Sequence, residues 1–178
     1  AILSDNYDIA LMNPPYGSQR RMPESVKSYV RENYQYHPEY YINFFEVCER
    51  LVKEDGRIGM LVPRSFMFNQ SFEQFRSDFI GERGNFDFLA EFGLGILDNA
   101  TVRTAGTVVR AGRASQNREG TFFRLHDVEP GQKESAFVKA AYDNSKEEEI
   151  QRLYRREMEK FRKIPGAHIS YWMPDNLR

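Results

Sequence analysis

The fold is decided by residues 7–16, whose sequence is YDIALMNPPY. The first six of these residues are mostly apolar, which predicts a short buried strand, and the two prolines end it because they fix φ and lack a backbone N–H. A short helix is predicted over residues 23–33. A longer helix is predicted over residues 40–55, with its apolar side chains on one face and Gly56 as its stop. Residues 57–62 then predict a second strand.

Three further strands and one further helix complete the pattern. Ser71 and Gln74 fit a capping box that begins the helix, and Phe72, Phe75, Phe79 and Ile80 supply its apolar side. The strands are predicted over residues 86–92, 104–110 and 121–125. Alternation of strands with helices up to the third strand is typical of a parallel sheet with right-handed crossovers, and the closely spaced later strands predict an antiparallel edge. The expected fold class is therefore α/β.

The last third of the chain predicts a different organisation. Residues 127–133 are rich in turn-forming residue types, and we place a soft domain boundary near residue 127. Residues 145–163 are charged, carry an apolar stripe at helical spacing and are predicted to form a helix. We therefore expect one domain over residues 1–126, followed by a helical linker over residues 127–178.

Composition limits the classes of protein to which the chain can belong. Its 178 residues are 40% hydrophobic and 29% charged, and no apolar run approaches the roughly 20 residues that span a membrane. Cys48 is the only cysteine, which excludes an intrachain disulfide, and the three histidines lack the spacing of metal ligands. We expect a cytoplasmic protein that binds neither a membrane nor a metal. The net charge of -1 gives no support for nucleic-acid binding, so any such surface has to be local.

Residues 13–16, Asn-Pro-Pro-Tyr, carry the chemistry and are called the NPPY loop below. An exocyclic adenine amine is a poor nucleophile because its lone pair is delocalised into the ring. The side-chain oxygen of Asn13 and the backbone carbonyl of Pro14 are two acceptors that could hold its N–H groups and free the lone pair to attack an electrophilic methyl group. Pro15 stiffens this bracket, and Tyr16 offers a flat face to a base taken out of its stack.

The NPPY loop has two alternative roles. Asn-Pro is a common way to open a plain structural turn. Asn-Pro-x-Tyr also occurs as a peptide ligand of phosphotyrosine-binding-type adaptor domains. A strand before the loop and a βαβ unit after it disfavour the peptide ligand. The position of the loop supports a binding role, because ligands of open α/β sheets bind beyond the carboxyl ends of strands.

The chain resembles the γ-class N6-adenine-specific DNA methyltransferases. Residues 5–17 resemble the catalytic motif of that family, and residues 40–56 resemble the helix and glycine turn that follow it. Residues 57–66 and 94–112 are similar to later strands of the same domain. Residues 164–174 look like the linker into the target-recognition part of type IIG restriction-modification enzymes and BREX-type phage-exclusion methyltransferases. The fold that the resemblance implies is the C-terminal half of a Rossmann-like, doubly wound methyltransferase sheet.

The resemblance implies methyl transfer from S-adenosylmethionine to the N6 of adenine in double-stranded DNA, within a restriction-modification or phage-defence system. The catalytic residues would be Asn13, Pro14, Pro15 and Tyr16, with Tyr16 stacked on the flipped adenine. Asn13 would also contact the cofactor, and Tyr40 and Phe44 match the positions that pack on the cofactor's adenine ring. The alternative for Tyr40 and Phe44 is core packing.

Arg20 and Arg21 follow the NPPY loop and are candidates for contacts with DNA phosphates, with solvated surface charge as the alternative. The family carries its cofactor-binding glycine motif before the catalytic strand, and nothing upstream of Asp5 supplies one. We therefore expect an inactive fragment that does not bind S-adenosylmethionine alone. The first strand is expected at an exposed sheet edge, where it invites dimerisation.

Enzymes with other substrates share the NPPY loop. RNA N-methyltransferases and protein-glutamine N-methyltransferases are the alternatives that keep the chemistry and change the acceptor. A further alternative is a structural piece without activity of its own.

Overall fold

The computed structural model describes residues 6–97, 101–112, 118–142 and 152–174. Its strands are β1 (Tyr7–Met12), β2 (Val52–Pro63), β3 (Gly84–Gly93), β4 (Thr104–Ala111), β5 (Glu119–Arg124) and β6 (Leu153–Glu157). Its α-helices are α1 (Glu24–Asn33), α2 (Tyr40–Leu51), α3 (Lys133–Tyr142) and α4 (Met158–Arg162). A π-helix covers Phe75–Arg83, and short 3-10 turns cover Gln19–Arg21, Arg64–Met67, Gln70–Phe72, Pro130–Gln132 and Pro165–Ala167.

The six strands form one mixed sheet in the order β1-β2-β4-β3-β5-β6. The pairs β1–β2 and β3–β5 are parallel, whereas β2–β4, β3–β4 and β5–β6 are antiparallel. The α/β class and the combination of parallel and antiparallel strands are confirmed. The antiparallel edge is β6. The antiparallel β4 lies inside the sheet, between β2 and β3, rather than at its edge. Its residues are therefore buried or half-buried along both faces, as in a central strand.

The longer predicted helix ends earlier than its pattern indicates. Helix α2 stops at Leu51 instead of residue 55, because Val52 already pairs with Tyr7 of β1. Asp55 then takes a positive φ of 63°, which a helix cannot contain. Gly56 is not a helix stop. A Cβ at Gly56 would lie 2.8 Å from the Cβ of Val52, so glycine permits a close approach within β2.

The helix expected after β2 differs in kind from the prediction. Ser71 caps no helix. It is exposed within a 3-10 turn, and no side chain caps the start of that turn or of the π-helix. The apolar side chains expected on this segment are buried as predicted, and Phe75 stacks on Phe79 with ring centroids 5.2 Å apart. The apolar pattern therefore located the buried face but not the helix type.

The predicted helix over residues 145–163 is wrong over Leu153–Glu157, which form β6. Residues 143–151 lie outside the described residues. The strand places Leu153 and Tyr154 against clusters on opposite faces of the sheet, a period of two that a helix cannot produce. Within the described part of this range, the helical residues are Met158–Arg162. The domain boundary near residue 127 stays a prediction, although β6 extends the same sheet as the strands before it.

The larger apolar cluster lies on the face of the sheet covered by α2, the π-helix and α4. A smaller cluster under α3 contains Ala90, Phe123, Leu125 and Ala140. The rest of the second face is open over β1, where Ile9 is 59% and Leu11 78% exposed. The prediction that β1 is buried is therefore wrong, and the prediction that it lies at a sheet edge is confirmed within the described strands.

Candidate active site

The carboxyl ends of β1, β2, β3 and β5 lie at one edge of the sheet, called the rim below. Because β4 and β6 run the other way, they begin at the same rim. The NPPY loop follows β1 there, and the turn Arg64–Met67 follows β2. Ligands of open α/β sheets bind at this edge, so the rim is where a candidate active site is expected.

The NPPY loop presents two acceptors at the rim. The side chain of Asn13 is exposed, whereas Pro14 is buried and anchors the loop. Among the described residues nothing donates a hydrogen bond to the Pro14 carbonyl, so that oxygen stays available. The Oδ1 atom of Asn13 lies 3.4 Å from the hydroxyl of Tyr16, which shares its single proton with a closer acceptor, so Oδ1 keeps capacity for another donor.

Tyr16 ties the NPPY loop to the neighbouring strand. Its hydroxyl donates a hydrogen bond of 3.0 Å to the backbone carbonyl of Leu61 in β2. Burial raises the pKa of Tyr16, which keeps the hydroxyl protonated and able to donate. The ring is half-buried, so part of its surface remains open.

A second tyrosine supports the first from behind. The rings of Tyr16 and Tyr41 meet edge to face, with centroids 6.3 Å apart and an interplanar angle of 75°. The hydroxyl of Tyr41 lies 3.1 Å from the Oγ of Ser65 in the turn after β2. Sequence patterns did not predict either contact, since each joins α2 to a residue distant in the chain.

The structure brings Tyr40 to the NPPY loop. The Tyr40 backbone N–H donates to the carbonyl of Gly17 at 3.0 Å. A Cβ at Gly17 would lie 2.8 Å from the Tyr40 ring, so only glycine lets the ring pack there. Phe44 is one helical turn further along the same side of α2 and is half-buried against the larger apolar cluster. Both rings are only partly buried and could contact a ligand.

Arg20 and Arg21 lie in the short 3-10 turn just beyond the NPPY loop and are both exposed. The Gln19 N–H donates to the carbonyl of Pro38 at 3.0 Å, and Ser18 forms a β-bridge with Glu39. The two arginines are thus held near the start of α2. Their contact with DNA phosphates stays a prediction.

The described part of the chain contains neither a candidate metal site nor a candidate membrane-spanning helix. No three His, Cys, Asp or Glu side chains within it come together in a way that could hold a metal ion. No helix within it has the length and apolar character needed to cross a membrane.

Two curated proteins match nearly the whole chain. The adenine-specific methyltransferase PglX of Lacticaseibacillus casei strain Zhang is 28% identical over 172 residues, which cover 96% of the chain and 14% of the relative. The adenine-specific methyltransferase BrxX of Escherichia coli O9:H4 strain HS is 24% identical over 177 residues, again 96% of the chain and 14% of the relative. The chain therefore spans about one-seventh of the length of these relatives.

The fold also matches a solved methyltransferase structure. The methyltransferase subunit of a type I restriction-modification system from Streptococcus thermophilus superposes with a TM-score of 0.60 at 16% identity, covering 93% of this chain and 37% of that subunit. Residues 2–94, just over half of the chain, match the family described as Eco57I restriction-modification methylase, and they include β1, the NPPY loop and the whole of α2 and β2. The chain belongs to the Eco57I restriction-modification methylase family.

Proposed function

We propose that the intact protein methylates the N6 of adenine in double-stranded DNA, with S-adenosylmethionine as methyl donor, in a restriction-modification or phage-defence system. The observation that carries the proposal is the NPPY loop at the rim, with the exposed Asn13 oxygen and the free Pro14 carbonyl held beside Tyr16. The family and the names of the curated relatives support it.

Each residue of the NPPY loop has a distinct task in this reaction. The Asn13 Oδ1 and the Pro14 carbonyl accept hydrogen bonds from the two N–H groups of the target amine, which returns electron density to its nitrogen. Pro15 keeps the loop stiff, and the half-exposed Tyr16 ring stacks on the flipped adenine. Bound S-adenosylmethionine supplies the electrophilic methyl group. The loop acts by positioning and electrostatics, without a covalent intermediate on the protein.

The cofactor and the DNA both lie next to the NPPY loop in this proposal. Tyr40, which packs on Gly17 beside the NPPY loop, and Phe44 offer partly open rings to the adenine ring of S-adenosylmethionine, and Asn13 also contacts the cofactor. Arg20 and Arg21 contact backbone phosphates, because both are exposed beside the loop that receives the base. A chromosomal or phage DNA substrate places the reaction in the cytoplasm.

Within the described strands, β1 lies at one edge of the sheet. A strand at a sheet edge is a template for pairing with another chain. We infer that the chain dimerises through this edge when it is purified alone.

The test is methyl incorporation by the purified intact protein. Labelled S-adenosylmethionine is offered with unmethylated double-stranded DNA, with RNA, or with a protein carrying an accessible glutamine. The proposal expects label in DNA that digestion recovers as N6-methyldeoxyadenosine. Label recovered only from RNA or from protein glutamine would contradict it and favour the related enzymes that share the NPPY loop.

A further inference from the structure

A cavity of about 320 Å³ opens on the rim between the ends of β2, β3 and β5 and the segment that carries Trp172. Binding sites for small molecules have volumes of roughly 300–1,000 Å³, so the space suits a ligand no larger than one nucleotide. Its lining consists of Arg64, Phe68, Glu91, Arg124, His126 and Trp172.

The charge of this rim cavity is positive. The buried carboxylate of Glu91 forms an ion pair with Arg64 and accepts a hydrogen bond of 2.6 Å from the Tyr171 hydroxyl, so both of its oxygens are engaged. Within the described residues no carboxylate forms an ion pair with Arg124. Burial lowers the pKa of the Arg64 guanidinium, and the like charge of Arg103 lowers it further. A second anion would therefore relieve repulsion among these arginines.

Aromatic rings line the same cavity. The Arg124 guanidinium lies over the Trp172 ring, 5.5 Å from its centroid, and Arg64 lies 5.6 Å from the centroid of Phe68. Phe68 and Trp172 meet edge to face at 5.6 Å. Trp172 is only partly buried. Proteins that hold single-stranded nucleic acid combine cationic side chains for the phosphates with aromatic rings on which bases stack.

One polar atom in the rim cavity has no partner. The Nδ1 of His126 is buried and makes no hydrogen bond within the described residues. It lies 3.8 Å from Glu91 Oε1, which is too far for a hydrogen bond. Burial and the neighbouring charge of Arg124 lower the pKa of His126. The neutral ring leaves the positive charge of the cavity to Arg64 and Arg124.

The segment that carries Trp172 is fixed in place. The buried guanidinium of Arg76 donates two hydrogen bonds to the Gly166 carbonyl, at 2.9 and 2.6 Å. It also donates to the carbonyls of Phe66 and Asn69 in the segment after β2. Because Phe68 belongs to this same segment, the two rings of the cavity are held in register with each other.

We propose that the rim cavity binds one nucleotide of a single DNA strand, with its phosphate on Arg64 and Arg124 and its base against Trp172. The inference rests on the proposed function, because extraction of a target base unstacks neighbouring nucleotides within reach of the same rim. The turn that begins with Arg64 also contains Ser65, which contacts Tyr41 behind the NPPY loop. The cavity and the loop therefore share one support.

Trp172 is the only tryptophan of the chain, so its fluorescence reports the cavity directly. The 178-residue chain is titrated with a strand of about ten deoxythymidines, with an abasic strand of equal length, and with inorganic phosphate. We expect the thymidine strand to quench Trp172, the abasic strand to bind about tenfold more weakly, and phosphate to leave the fluorescence unchanged. Equal quenching by all three probes, or none by the thymidine strand, would overturn the inference.

Three variants test whether Arg124 makes the contact. Arg124→Gln should raise the dissociation constant about tenfold, while Arg124→Lys, which keeps the charge, should raise it about threefold. Arg155 is exposed on β6, so Arg155→Gln removes the same charge elsewhere and should change the constant less than about twofold. Equal weakening in Arg124→Gln and Arg155→Gln would mean non-specific attraction. If Arg124→Gln does not fold, the Arg124→Lys variant and the abasic strand still test whether the rim cavity binds a nucleotide.

The two proposals can fail separately. Methylation of DNA by the intact protein without quenching of Trp172 would remove the rim cavity from the account and leave the proposed function standing. Quenching that depends on Arg124, without any methylation of DNA, would contradict the proposed function and leave nucleotide binding by the rim cavity standing.

Discussion

The hydroxyl of Tyr16 donates a hydrogen bond of 3.0 Å to the backbone carbonyl of Leu61, which joins the NPPY loop to β2. The same hydroxyl reaches Asn13 Oδ1 at 3.4 Å. One side chain thus holds both the loop and the amide that is proposed to receive the target amine. The neighbouring strand, and not the two prolines alone, fixes the geometry of the site.

Replacing Tyr16 with phenylalanine tests the hydrogen bond between Tyr16 and Leu61. Tyr16→Phe removes the hydrogen bond and leaves the carbonyl of Leu61 without it, so we expect the free energy of unfolding in urea to fall by about 1 kcal/mol. Tyr142 is 83% exposed on α3, and Tyr142→Phe should change stability by less than about 0.5 kcal/mol. Equal stability of the two variants would show that the hydrogen bond contributes nothing.

The buried Arg76 should be one of the most sensitive positions. Arg76→Leu leaves the carbonyls of Gly166, Phe66 and Asn69 without their donor, and we expect a loss of about 3 kcal/mol in the free energy of unfolding. Arg76→Lys should not restore stability, because one ammonium cannot reproduce the planar fork. The emission of Trp172 should also change. Full stability of Arg76→Lys would contradict the account.

The chain should lose stability in alkali. Burial raises the pKa of Cys48 from 9.0 to about 11 and that of Tyr36 from 10.0 to about 12. The unfolded chain then releases these protons at lower pH than the folded chain, so the stabilisation is complete below pH 9 and is lost as the pH rises through about 11 to 12.

Urea unfolding at about pH 8 and about pH 10.5 checks this, with an expected loss on the order of 1 kcal/mol. Cys48→Ala should flatten the pH dependence even though it lowers stability at both pH values. A free energy of unfolding that stays constant over this range would count against the buried positions of both groups.

The exposed edge of β1 predicts self-association of the purified chain. Leu11 is 78% exposed on this edge strand, and Leu11→Lys adds a charge that disfavours pairing. Light scattering should detect dimers or larger species in the wild type and fewer in Leu11→Lys. Val138 is exposed on α3, so Val138→Lys serves as a control that should still associate. A monomeric wild type at high concentration would contradict the prediction.

The sequence predicted those parts of the fold whose causes are local. The prolines end β1 at Met12, and the NPPY loop follows at the rim as expected. The end of α2 escaped prediction because Val52 pairs with Tyr7, which is distant in the chain. The strand at Leu153 escaped because the few apolar residues there fit both a helical stripe and an alternating strand.

The candidate site was only partly accessible to sequence patterns. The NPPY loop is contiguous, so its residue types indicated its chemistry before any contact was known. The rim cavity is assembled from residues near positions 64, 91, 124 and 172, which the strand order brings together. No spacing in the sequence marks such a set, since its members come from different elements.

The proposed methylation of adenine in DNA depends on the NPPY loop. The most direct measurement is mass-spectrometric nucleoside analysis of DNA from a host that lacks other adenine methyltransferases and expresses the intact protein or its Asn13→Ala variant. We expect N6-methyldeoxyadenosine in the DNA with the wild type and none above background with Asn13→Ala, at equal protein levels. Equal amounts with both proteins, or none with either, would contradict it.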